Sequence, residues 1–112
     1  MATVGGSEFS LDLETSVDGR SHRVRISGEI DNATVPAVRE FLTALGGDVE
    51  VDCGGVGFVD SAGLAVFVAC HRALHDQGGT LRLVNVNDPC YVVFEITGLT
   101  ELFVVQRRES AD

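Results

Sequence analysis

The chain has 112 residues, 45% of them hydrophobic, with 17 acidic and 8 basic side chains and a formal net charge of −9. That is enough apolar material for one core and too little length for two, so a single domain over residues 1–112 is expected, with its core at about 8–106 and flexible ends. No apolar run approaches the roughly 18 residues that a bilayer-spanning helix needs, the first residues (MATVGGSEFSLDLE) lack the basic and apolar regions of a secretion signal, and the negative field disfavours nucleic acid and anionic lipid; the expected location is cytoplasmic.

In chain order, Phe9 to Glu14 alternates apolar and polar residues, the period of a half-buried strand. Val17-Asp18-Gly19-Arg20-Ser21 supplies turn chemistry, and His22 to Ile26 alternates again, Val24 and Ile26 opposing Arg23 and Arg25, so the pair reads as a hairpin. Gly28-Glu29-Ile30-Asp31 closes that strand. Pro36 fits the first turn of a helix, with Thr34 or Asn32 as its cap, and Val38, Phe41, Leu42 and Leu45 follow helical spacing up to Gly46-Gly47. Val49 to Cys53 is a further alternating strand. A glycine-rich approach, Gly54 to Val59, leads to Asp60-Ser61-Ala62-Gly63 and a second helix, Leu64 to Asp76. Thr80 to Val86 is a strand, Asp88-Pro89 opens a third helix through Val92, Val93 and Ile96 to Thr97-Gly98, and Phe103-Val104-Val105 is a last short strand.

Strands alternating with helices imply an α/β fold with a mixed, mostly parallel sheet of four to five strands and right-handed crossovers. Each strand keeps one face polar (Asp12, Arg25, Glu50, Arg82), whereas a sheet covered on both sides shows continuous apolar runs. The helices therefore belong on one face, in a two-layer domain.

The chemistry-bearing residues argue against catalysis. Val59-Asp60-Ser61-Ala62-Gly63 lacks the first glycine of a hydrolase nucleophile elbow, and His22, His71 and His75 do not present an evident base. Residue 60 is aspartate where a dinucleotide fingerprint after Gly55 and Gly57 needs glycine, and no phosphate-binding loop with a GK[ST] end occurs. His71 and His75, with Cys70 nearby, lack a third metal ligand and suit a helix end. Cys53, Cys70 and Cys90 sit among apolar residues and read as reduced, buried thiols. No enzyme activity, cofactor or metal is expected. What remains is Ser61. Asp60 and Ser61 stand where a helix N-cap belongs, and a capping serine has a structural role; against that, a helix N-terminus offers unpaired N–H groups and partial positive charge that accommodate a phosphate, and the small Ala62 and Gly63 leave room for another protein to approach.

The run from Val51 to Leu64 (VDCGGVGFVDSAGL) before an apolar helix resembles the signature of the STAS domain family, the anti-sigma factor antagonists. Gly28-Glu29-Ile30-Asp31, Gly78-Gly79 and Thr97-Gly98-Leu99 match in the right order, so the resemblance covers about residues 8–106. It implies a STAS-like sheet with helices on one side, phosphorylation of Ser61 by an anti-sigma factor that is a serine kinase, release of a sigma factor by the unphosphorylated form, and restoration by a serine phosphatase. Its docking surface maps onto Gly28, Glu29, Asp31, Asp60, Ala62, Gly63 and Leu64, with a monomer expected. Asp31 has a competing structural role as a helix cap. Ala62 stands where many members have serine or threonine, and Ala65 where many have glycine. The alternative reading is a STAS module serving as a structural subunit of a transporter or signalling assembly, with no phospho-switch.

Overall fold

The computed structural model describes residues 2–5 and 8–109, with side chains for 8–109. The elements run β1 (Ala2–Gly5), β2 (Ser10–Thr15), β3 (Ser21–Ile30), α1 (Val35–Leu45), β4 (Asp48–Val59), α2 (Ser61–Asp76), β5 (Thr80–Val86), α3 (Asp88–Ile96), α4 (Leu99–Leu102) and β6 (Val104–Arg107). They form one sheet in the order β1-β2-β3-β4-β5-β6. The first two pairings are antiparallel and the remaining three parallel, so the sheet is mixed and mostly parallel. It has one strand more than the upper count expected from sequence. β1 lies before the expected core, in a stretch with no helical or strand periodicity of its own, and takes its form by pairing with the edge of β2.

Inward residues of the central strands (Val24, Ile26, Val49, Val51, Leu81, Leu83) meet Val38 and Leu42 of α1 and Val66, Phe67 and Leu74 of α2 in a single buried cluster. Phe67 and Phe94 meet as tilted rings with centroids 6.0 Å apart, tying α3 to α2. On α3 the buried residues are Cys90 and Phe94, whereas Val92 and Ile96, which the helical spacing assigns to its apolar run, are exposed. Asn87 fixes that rotation: its Oδ1 caps the Cys90 amide at 2.9 Å while its Nδ2 donates to the Val56 carbonyl at 3.0 Å. No helix among the described residues is long and apolar enough to cross a membrane.

The other sheet face is charged. Arg23 reaches Glu50 (3.6 Å) and Asp52 (3.4 Å), and Arg82 reaches Glu50 (3.4 Å), a ladder across β3, β4 and β5. Asp52 is the buried member, its Oδ1 accepting the Gly54 amide at 2.8 Å and the Asn85 side-chain amide at 3.2 Å. Burial pushes its carboxyl up, but the Gly54 and Asn85 hydrogen bonds, with Arg25 and Arg23, outweigh it and hold the group below the ordinary carboxylate value. A depressed folded pKa stabilises the fold above the unfolded value near about 4 and is lost as pH falls through the folded value. Asp52→Asn is therefore expected to cost about 1–2 kcal/mol at neutral pH, with the gap to wild type closing below about pH 4, as read by urea denaturation across pH.

Candidate functional site

Strands β3 and β4 end side by side, with Ile30 paired to Val59, so the next residues along each chain segment, Asp31 and Asp60, leave the same end of the sheet. The Asp60 amide donates to the Ile30 carbonyl at 3.2 Å. Asp60 itself is extended (φ −95°, ψ −173°) and its Oδ1 accepts the Gly63 amide at 2.9 Å, satisfying a first-turn donor of α2. Helical geometry thus begins at Ser61, three residues before Leu64, where the apolar periodicity begins. Gly63 is buried, and a Cβ there would lie 2.7 Å from Val59 Cγ1 and 2.8 Å from the Ile30 carbonyl oxygen. Its smallness lets the first turn of α2 sit flush on the strand ends. Glycine is therefore required at this position by packing, whatever part Gly63 takes in contact with a partner.

Because Asp60 does the capping, Ser61 has no structural duty. It is exposed as the first residue of α2, and its hydroxyl has no hydrogen-bond partner among the described residues. Ala62 and Leu64 are half-buried, Leu64 packing against the core cluster. The helix N-terminus places partial positive charge beside the hydroxyl.

Across the strand ends, Asp31 organises the β3–α1 loop. Its Oδ1 accepts the Ala33 and Thr34 amides (3.0 and 3.3 Å), while Thr34 Oγ1 donates to the Glu29 carbonyl (2.8 Å) and accepts the Asp31 amide (3.0 Å). Thr34 holds the cap position of α1 without a side-chain cap bond, and Asn32 is exposed. Gly28 has φ +111°, and a Cβ on it would collide with the Glu8 carbonyl, so this glycine too is set by packing. Glu29 is exposed and, with Glu8, Phe9, Asp31 and Thr34, lines a shallow groove there.

One exposed residue beside this site does not stand out in the sequence: Phe58, 50% exposed. It lies in the glycine-rich approach to α2, and the slip in strand pairing there turns it outward. The other candidate groups lie elsewhere. His71 and His75 lie toward the C-terminal end of α2, their rings 5.8 Å apart, with His71 against Phe103. Cys53, Cys70 and Cys90 are free and buried; burial raises all three thiols, Cys70 to about 11, so they stay protonated at neutral pH. Among the described residues no group of three or more His, Cys, Asp or Glu is placed to hold a metal ion.

Residues 13–106 match the family described as Mlab, STAS domain. Among characterised proteins, the anti-sigma-B factor antagonist of Staphylococcus aureus is 35% identical over 101 residues, 87% of this chain and 94% of that protein. Among solved structures, an anti-sigma factor antagonist from Mycobacterium paratuberculosis shares the fold with a TM-score of 0.77 and 24% identity, over 88% of this chain and 86% of that one. The Bacillus cell fate determinant SpoIIAA shares it in its unphosphorylated form (TM-score 0.72, 85% of this chain and 86% of that one) and its phosphorylated form (0.65, 85% and 89%), both at 22% identity.

The division of labour at the helix start has a direct test. Asp60→Ala is expected to lower stability by about 1 kcal/mol through loss of the cap, whereas Ser61→Ala should stay within about 0.5 kcal/mol of wild type, both read from urea unfolding curves.

Proposed function

We propose that this chain, which belongs to the STAS domain family, acts as an anti-sigma factor antagonist switched by phosphorylation of Ser61. Unphosphorylated, it binds a cognate anti-sigma factor through the Asp31 loop and the first turn of α2, and the sigma factor held by that partner goes free. The partner is a serine kinase: it transfers the γ-phosphoryl group of ATP to Ser61 Oγ, whose proton passes to a kinase base, and the complex dissolves. A serine phosphatase returns the hydroxyl, and the cycle runs in the cytoplasm.

The observation that carries this reading is an exposed serine hydroxyl at a helix N-terminus whose capping is done by its neighbour. Phosphorylation adds about −1.5 to −2 charge. The first-turn amides and the helix dipole favour negative charge there, so the fold has no reason to open. For the partner the sign is opposite: new charge beside Asp60 and across from Asp31 alters a face it must cover. The similarity to an anti-sigma-B factor antagonist supports the choice of partner.

The chain acts as substrate and binding partner and performs no chemistry of its own. His71 lies ten positions along α2 from Ser61, about 15 Å of helix rise, and His22 is at the opposite end of β3 from Ile30. Neither is placed to act as a base for the serine.

Incubation with the cognate anti-sigma factor and ATP should add one phosphate, mapped by mass spectrometry to Ser61. Ser61→Ala should remain bound to the kinase, and Ser61→Asp should bind weakly. Phosphate on another residue, or equal affinity of the two variants, contradicts the switch.

A further inference from the structure

Near the end of β4 the pairing with β3 slips: Gly28 faces Val56 and Glu29 faces Phe58, leaving Gly57 as the extra residue of a bulge. A bulge reverses the in–out alternation of the residues beyond it. In step with Val56, Phe58 would turn to the core and Val59 to water. The extra residue instead brings Val59 in, 8% exposed, and turns Phe58 out, 50% exposed. An aromatic ring in water forgoes one of the larger burial gains a side chain offers.

Gly57 adds a second, independent observation. It is exposed, it is not among the glycines with positive φ, and a Cβ on it would meet nothing within 4 Å. Neither backbone geometry nor crowding requires glycine here, in contrast to Gly28 and Gly63. Glycine inside a strand weakens it, and where the fold does not need one it leaves space for another backbone to approach.

We propose that Gly57-Phe58 is a contact segment for the anti-sigma factor, with the Phe58 ring seated in an apolar pocket of the partner and partner backbone lying over Gly57. This rests on the antagonist reading, whose docking surface it continues: Phe58 is three residues before Ser61 and is paired with Glu29 at the Asp31 loop. The carboxylates around it (Glu29, Asp31, Asp60) have no ion-pair partner among the described residues, so the matching pocket is apolar with a basic rim. The segment supplies standing affinity and Ser61 supplies the switch, within one interface.

Binding of purified cognate anti-sigma factor to wild type, Phe58→Ala and Gly57→Val, by calorimetry without ATP, tests this. Wild type should bind, and Phe58→Ala and Gly57→Val should each bind at least about fivefold more weakly with circular dichroism and melting unchanged. Gly57→Val, built into open space, carries the test if Phe58→Ala melts early. Wild-type binding with less than that weakening in a folded Phe58→Ala or Gly57→Val overturns the contact segment and leaves the antagonist reading standing. Failure of wild type to bind overturns both.

Discussion

The hydrogen bond from the Gly63 amide to the Asp60 carboxylate, 2.9 Å long, sets the geometry of the end of the molecule where the proposed site lies. It closes the first turn of α2 while the Asp60 amide is tied back to Ile30, so that helix, β3 and β4 are fixed to one another at a single point. Capping by the residue before it leaves Ser61 on a rigid element but outside the hydrogen bonding that holds the element together. A hydroxyl so placed is free to take part in recognition or be modified at little expense to the fold. Gly63 is the steric half of the same arrangement, since any side chain there would lift the helix start away from the strand ends.

Charge is distributed to match. On the open sheet face, Arg23 and Arg82 bind Glu50 and Asp52 into a ladder that neutralises itself. At the end that carries the proposed site, Glu29, Asp31 and Asp60 stand without such partners among the described residues. In a chain of net charge −9 this concentrates uncompensated negative potential where the proposed kinase docks, which suits fast association with a basic surface and makes that face sensitive to one more anionic group.

Much of this is legible in the sequence because strand alternation and helix punctuation are local. The polar residues Asp12, Arg25, Glu50 and Arg82 point to the two-layer arrangement, and the STAS resemblance holds over residues 13–106. The glycine-rich stretch Gly54 to Val59 reads as an approach to the helix, yet it is the second half of β4. Glycine is depleted in strands, and the pairing of β4 with β3 slips twice along its length, which erases the period a strand is recognised by. The same slip hides Phe58. Gly28 and Gly63 read as residues facing a partner, and the packing that also requires glycine at each, against the Glu8 backbone and against Ile30, joins segments distant in sequence. Val92 and Ile96 follow helical spacing, but the orientation of α3 is set by Asn87 bonding to the Val56 carbonyl of β4. Such tertiary choices leave no local trace.

The central claim is that a phosphate at Ser61 acts on the binding face and leaves the fold alone. Amide chemical shifts and hydrogen-exchange rates, recorded before and after stoichiometric phosphorylation of Ser61, test it most directly. Shift changes confined to the Asp31 loop, the end of β4 and the first turns of α2, with exchange protection in β3, β4 and β5 unaltered, are the predicted result. Shifts spread through the Val24, Val51 and Leu83 core, or protection lost from the central strands, would contradict it.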